Sequence, residues 1–82
     1  MKVLKFEASW CGPCKSLSKV FEEAKDKISM PVEVIDIDQN RDMAVKYGIR
    51  GVPTLVILDN EDKEVKRASG MMMESKLLEF LK

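Results

Sequence analysis

The sequence predicts an α/β domain: a mixed four-stranded sheet with three flanking helices, in the order β-α-β-α-β-β-α. Three observations carry that expectation. Short β-branched runs alternate with segments whose apolar residues recur at helical spacing. The first strand, helix and second strand together have the length of a right-handed parallel crossover. The last two strand-like runs are separated by a polar turn short enough for an antiparallel hairpin.

Lys2 to Glu7, around the run Val3 to Phe6, reads as the first strand. The next segment places Leu17, Val20, Phe21, Ala24 and Ile28 at helical spacing with Lys, Glu, Ser and Asp between them, so one face meets a core and the other water. Met30-Pro31 ends that helix, because proline has no N–H to donate. Val32 to Ile37 is the second strand. Asp38 or Asn40 can cap a short helix running through Tyr47, which Gly48 closes in the left-handed conformation. Thr54 to Leu58 is continuously apolar and β-branched, the pattern of a strand covered on both faces. Asp59-Asn60-Glu61-Asp62 turns the chain, and the charged segment Glu64 to Ala68 suits a sheet edge. Glu74 to Lys82 sets Leu77, Leu78 and Leu81 on one side of a last helix.

The 82 residues are read as one domain, 1–82, without repeat, linker or low-complexity segment. Fourteen Lys and Arg against fourteen Asp and Glu, scattered along the chain, leave no electrostatic footprint for nucleic acid or an anionic membrane. The longest apolar run, Val52 to Leu58, is too short to span a bilayer, and Met1 runs directly into a strand without a targeting signal. A monomer in the reducing cytoplasm is the resulting expectation.

Chemistry concentrates at Trp10-Cys11-Gly12-Pro13-Cys14, which holds both cysteines. With no histidine in the chain, two thiols cannot close a structural zinc site without carboxylates or a second molecule, so no metal is expected. Two readings then stand. The pair is a dithiol redox centre at a strand-to-helix turn, or it is two unpaired core cysteines. The neighbourhood favours the first. Pro13 is well tolerated at the start of a helix, and a helix start brings free N–H groups and the positive end of the macrodipole to Cys11, which favours thiolate. A Cys11–Cys14 bridge closes so small a loop that it braces the fold little. In α/β sheets function gathers beyond the carboxyl ends of strands, where Cys11 lies.

Trp10-Cys11-Gly12-Pro13-Cys14-Lys15, then Tyr47-Gly48-Ile49-Arg50-Gly51-Val52-Pro53-Thr54, then Gly70 ahead of the last helix, resembles thioredoxin over essentially the whole chain. The resemblance is to a shortened form, without the strand and helix that usually precede the active-site strand; length and element order are closer to glutaredoxin. It implies a thioredoxin-like fold and a protein-disulfide reductase. Cys11 would be the attacking thiolate and Cys14 the buried resolving thiol, held by the Gly12-Pro13 turn. Pro53 would be the family's cis-proline, and Trp10, Val52, Ser69, Gly70 and Met71 the substrate groove. It implies no cofactor beyond the cysteine pair. Partners would be protein disulfides and an electron donor, either a thioredoxin-reductase-like protein or glutathione, within cellular electron transport and redox homeostasis.

The chain departs from the family pattern in two places. Lys5 stands where the family usually has a buried aspartate, with Glu7 two residues on and on the same face of a regular strand. Either Lys5 reaches solvent and Glu7 is exposed, or Lys5 lowers a cysteine pKa by its charge and Cys14 relies on water or Glu7 for proton transfer. The second departure, Met71-Met72-Met73, is read as core filling, with an adaptable substrate lip as the alternative. Three rivals to the reductase are a glutathione-dependent enzyme, a non-catalytic binding module on the same fold, and a dimer sharing thiolates on a cluster.

Overall fold

The computed structural model describes all 82 residues. β1 (Lys2–Glu7), α1 (Gly12–Ala24), β2 (Val32–Asp36), α2 (Arg41–Lys46), β3 (Thr54–Leu58), β4 (Glu64–Ser69) and α3 (Glu74–Phe80) follow in the expected order. The sheet runs β2-β1-β3-β4, with β1 parallel to β2 and the β1–β3 and β3–β4 pairs antiparallel. One parallel crossover and one hairpin therefore place the two middle strands as the sequence lengths require.

Two apolar layers sandwich that sheet. On one face Val3, Leu55 and Ile57 meet Leu17, Val20 and Phe21 of α1, and Leu77 and Leu81 at α3. On the other, Leu4, Phe6, Val56 and Leu58 pack with Ile35, and Met43, Tyr47 and Ile49 close over them from the α2 side. The alternation along β1 assigns Val3 and Leu4 to opposite layers. All five residues of β3 are buried, which is what an uninterrupted apolar run needs.

Element ends differ from expectation where side chains find other partners. α1 stops at Ala24 and passes into a 3₁₀ turn, Lys25–Lys27, because those three residues are exposed and nothing apolar holds a further α turn until Ile28. β2 ends at Asp36, one residue early: the Asp36 carboxylate takes the N–H groups of Asp38 and Gln39 and bends the chain. Asn40 does occupy the N-cap of α2, yet its side chain gives that helix nothing, because its amide donates to the Asp36 carbonyl instead. Gly48 closes α2 at φ +63°, and Ile49 N–H returns to the Ala44 carbonyl. β4 runs one residue further than its charged core, to Ser69, opposite Thr54.

Candidate active site

Cys11 and Cys14 are joined by a disulfide, their Cα atoms 5.2 Å apart. Cys11 is the N-cap of α1, with Pro13 in the first turn, and its Sγ accepts the Cys14 N–H at 3.1 Å. A thiolate at this position therefore faces a backbone donor and the positive end of a thirteen-residue helix, the arrangement that stabilises negative sulfur. Both sulfurs belong to a small apolar cluster with Ala8, against which Ile37 and Val52 pack. Cys11 is 5 % exposed and Cys14 2 %.

Three strand ends bring the surroundings together. Pairing of Phe6 with Thr54 and of Thr54 with Ser69 aligns the end of β1 with the start of β3 and the end of β4. The Val52–Pro53 peptide is cis, and the Val52 carbonyl lies 3.7 Å from Cys11 Sγ. Gly70, at φ +91°, donates its N–H to the Pro53 carbonyl at 2.8 Å, and Thr54 Oγ1 donates to the Gly51 carbonyl at 2.7 Å. Of the residues expected in the groove, Trp10 adjoins Cys11 in sequence and Val52 packs against the cysteine cluster, while Ser69 pairs with Thr54 and Gly70 bonds to Pro53, the residue after Val52. Trp10 is 68 % exposed beside Cys11, and its indole N–H donates to Asp38 at 2.9 Å. An apolar ring fixed at one edge and open on its face can receive a polypeptide.

The methionine run divides. Met72 enters the core with Leu17 and Leu77, whereas Met71 and Met73 are exposed. Core filling therefore describes one of the three.

Lys5 is buried, its side chain 4 % exposed, on the α1 face of the sheet. Its ammonium donates to Glu7 Oε1 and, at 2.7 Å, to Ser18 Oγ, and it stands 5.6 Å from the centre of the Phe21 ring. The charge is thus shared with a carboxylate rather than set bare against the thiols, and the lysine does not reach solvent. Glu7 is the solvent-facing member, 27 % exposed.

Two further side chains bond to the expected site residues, Asp38 to Trp10 and Ser18 to Lys5, and the sequence does not single them out. The sequence offers Asp38 only as a helix cap; its place follows from β2 running parallel to β1, which sets Ile37 N–H on the Glu7 carbonyl and brings Asp38 to the Trp10 indole. Ser18 lies four residues after Cys14 on α1, a spacing that puts both on one face and could have been read. No group of three or more His, Cys, Asp or Glu residues is arranged to hold a metal ion.

Comparison with known proteins agrees with this geometry. The thioredoxin family model matches residues 1–82. A thioredoxin of Mycoplasmoides gallisepticum is 40 % identical over 81 residues, covering 98 % of this chain and 80 % of its own. One from Mycoplasma genitalium is 38 % identical over 79 residues, covering 95 % and 76 %. Among solved structures, a mutant thioredoxin from Halobacterium salinarum superposes with a TM-score of 0.88 at 36 % identity, covering 98 % of this chain and 70 % of that one. Thioredoxin from Fasciola hepatica gives 0.85 at 40 %, covering 98 % and 76 %. A paired Cys11–Cys14 at a helix start, a cis peptide beside it and a whole-chain match in sequence and fold have one common explanation: the chain belongs to the thioredoxin family.

Proposed function

We propose that Cys11 and Cys14 take distinct roles in this thiol-disulfide oxidoreductase, Cys11 attacking and Cys14 resolving. In the reduced protein the Cys11 thiolate attacks a substrate disulfide. One substrate thiolate leaves, and a mixed disulfide joins the two proteins. Cys14 then loses its proton and attacks Cys11 Sγ; the Cys11–Cys14 bond forms, and the second substrate sulfur leaves as a thiolate that takes up a proton. Two electrons pass to the substrate, and the dithiol becomes the disulfide. The single observation behind the assignment is the Cys14 N–H on Cys11 Sγ at the helix start, which favours thiolate at Cys11.

The substrate backbone lies across Trp10, Val52, Ser69, Gly70 and Met71, with Pro53 against the sulfurs. The Gly12-Pro13 dipeptide is the thioredoxin kind, and a reductase of the thioredoxin-reductase kind restores the dithiol, for which the reducing cytoplasm is the fitting compartment. The protein works as a monomer in this reading. Insulin reduction by the wild type and by Cys11→Ser, with dithiothreitol and with glutathione as donors in parallel, tests it. Activity lost in the variant and stronger with dithiothreitol supports the assignment; turnover sustained by glutathione alone would move the donor to glutathione.

A further inference from the structure

Burial of Cys14 creates a problem that the cysteine pair does not solve. A resolving thiol must shed a proton before it attacks, and at 2 % exposure the sulfur has almost no contact with solvent. One turn further along α1, Ser18 lies on the same helix face, with Cβ atoms of such a pair about 5–6 Å apart. Ser18 Oγ takes a hydrogen bond from Lys5 Nζ at 2.7 Å, Lys5 donates also to Glu7, and Glu7 is the part of the chain that touches water. All three line a pocket of about 400 Å³ that opens between α1 and the edge strand β2, with Phe21 and Val34 in its wall. A continuous polar line therefore runs from solvent through an apolar layer to within one helical turn of the buried sulfur.

Resting on the assignment of Cys14 as the resolving thiol, we infer that Glu7, Lys5 and Ser18 form a proton relay for Cys14, with Glu7 as the outer acceptor. When Cys14 becomes a thiolate, its proton passes to the Ser18 hydroxyl. Ser18 gives a proton to Lys5 Nζ as Lys5 gives one to Glu7, so Lys5 ends as it began and one proton arrives on the carboxylate, then water. Reduction of the Cys11–Cys14 disulfide runs the line in reverse, because Cys14 leaves as a thiolate and must be protonated. Lys5 and Glu7 are positioning residues that act through Ser18, the one member of the line that exchanges the proton with the Cys14 thiol.

No other charge competes inside this line. Across the sheet from Lys5 stand Val34 on β2 and Leu55 on β3, both apolar. Asp36, opposite Glu7, is committed to the N–H groups of Asp38 and Gln39. On α1 and the 3₁₀ turn, Glu22 and Lys25 line the outer pocket and pair with each other at 3.1 Å.

An aromatic nitrobenzoate disulfide separates the steps, because one coloured thiolate leaves when Cys11 attacks and a second when Cys14 resolves. Stopped-flow mixing with reduced wild type, Glu7→Gln, Lys5→Met and Ser18→Ala is run across pH. In the variants the first release keeps its wild-type rate. The second falls about tenfold for each pH unit below the ordinary thiol range near 8.5, since only thiolate already present can react, and wild type falls less steeply. Near pH 6 the deficit is on the order of ten- to a hundredfold. Glu7→Asp restores the shallow profile, which a purely structural role would not require. A wild-type profile for the second release in Glu7→Gln, or in Ser18→Ala should Glu7→Gln fail to fold by circular dichroism, overturns the relay. No release from the wild type at all would overturn instead the dithiol reading beneath it.

Discussion

Removing the Glu7 carboxylate should destabilise the fold far more than removing a surface charge, and removing Lys5 as well should restore most of the loss. In Glu7→Leu the Lys5 ammonium, 4 % exposed, keeps only the Ser18 hydroxyl and the Phe21 face. Breaking a buried pair by deleting one partner costs about 3–5 kcal/mol, and the 27 % exposure of Glu7 argues for the lower end, about 3 kcal/mol. Lys5→Met leaves a carboxylate that can turn to water, so that single change costs about 1 kcal/mol. Independent effects would sum to about 4 kcal/mol, a large part of the total stability of a chain this short. The double variant Lys5→Met/Glu7→Leu buries no charge and places two apolar side chains beside Phe21 and Val34, so it should lie within about 1 kcal/mol of wild type. The coupling is then about 3 kcal/mol. Urea titration of the oxidised proteins, read by far-ultraviolet circular dichroism, measures all four corners. Repeating it in high salt separates a buried pair, which salt screens little, from an exposed one. A double variant whose loss equals the sum of the singles within about 0.5 kcal/mol would refute the reasoning.

Other expectations concern separate parts of the chain. Met73 is the N-cap of α3, exposed and without a side-chain bond to the helix, so Met73→Asp should stabilise by about 0.5–1 kcal/mol and raise Tm by a few degrees in a thermal melt. Met73→Ala, which cannot cap, serves as the control and should show no such gain. Leu55→Ala, at a fully buried site in the middle of the sheet, should cost about 2–5 kcal/mol in urea unfolding. The hydrogen bond from Arg67 holds the Glu64 carboxyl below its ordinary 4.5, with burial opposing slightly and the Arg67 charge adding to the effect. Its small stabilising contribution is therefore present above the ordinary carboxylate range and is lost as pH falls through the depressed value. Arg67→Ala should bring the Glu64 titration, followed by carbon NMR of its carboxyl, back up toward 4.5.

The fold was legible because its strands are short and cleanly patterned. Thr54 to Leu58 reads as a doubly covered strand and is buried at every residue, and the alternation along β1 sorts its side chains between two layers. Helix ends were less legible, because capping depends on which of several acceptors a side chain takes: Asn40 sits at the N-cap and gives its amide to Asp36. The cysteine pair declares itself by spacing alone. The surroundings of the pair do not, because the ends of β1 and β4 and the start of β3 are aligned only through strand registers. The cis peptide before Pro53 follows from no local propensity, and only the likeness of the surrounding motif to thioredoxin implies it. For Lys5, strand periodicity gives the face but not the depth, which is set by α1 lying across that face and bringing Ser18 to the ammonium.

Local rules are broken in two places, and each adjoins the proposed site. A buried lysine and carboxylate occupy ground where two apolar residues would pack at least as favourably, since desolvation cancels most of the attraction of such a pair. An exposed methionine occupies a helix N-cap where a serine or aspartate would bind the helix N–H groups. Stability explains neither choice. Lys5 lies under the helix that carries Cys14, and Met73 follows the Gly70 turn that bonds to Pro53, so each departure from local consistency falls beside the cysteine pair or the cis-proline segment. The two corrections should consequently behave differently from ordinary stabilising changes. Lys5→Met/Glu7→Leu should keep the fold while steepening the pH dependence of the second release. Met73→Asp should raise Tm; if the exposed Met71 and Met73 also contact the substrate, the added charge should raise KM for an apolar disulfide peptide with little change in kcat, the signature of lost ground-state binding.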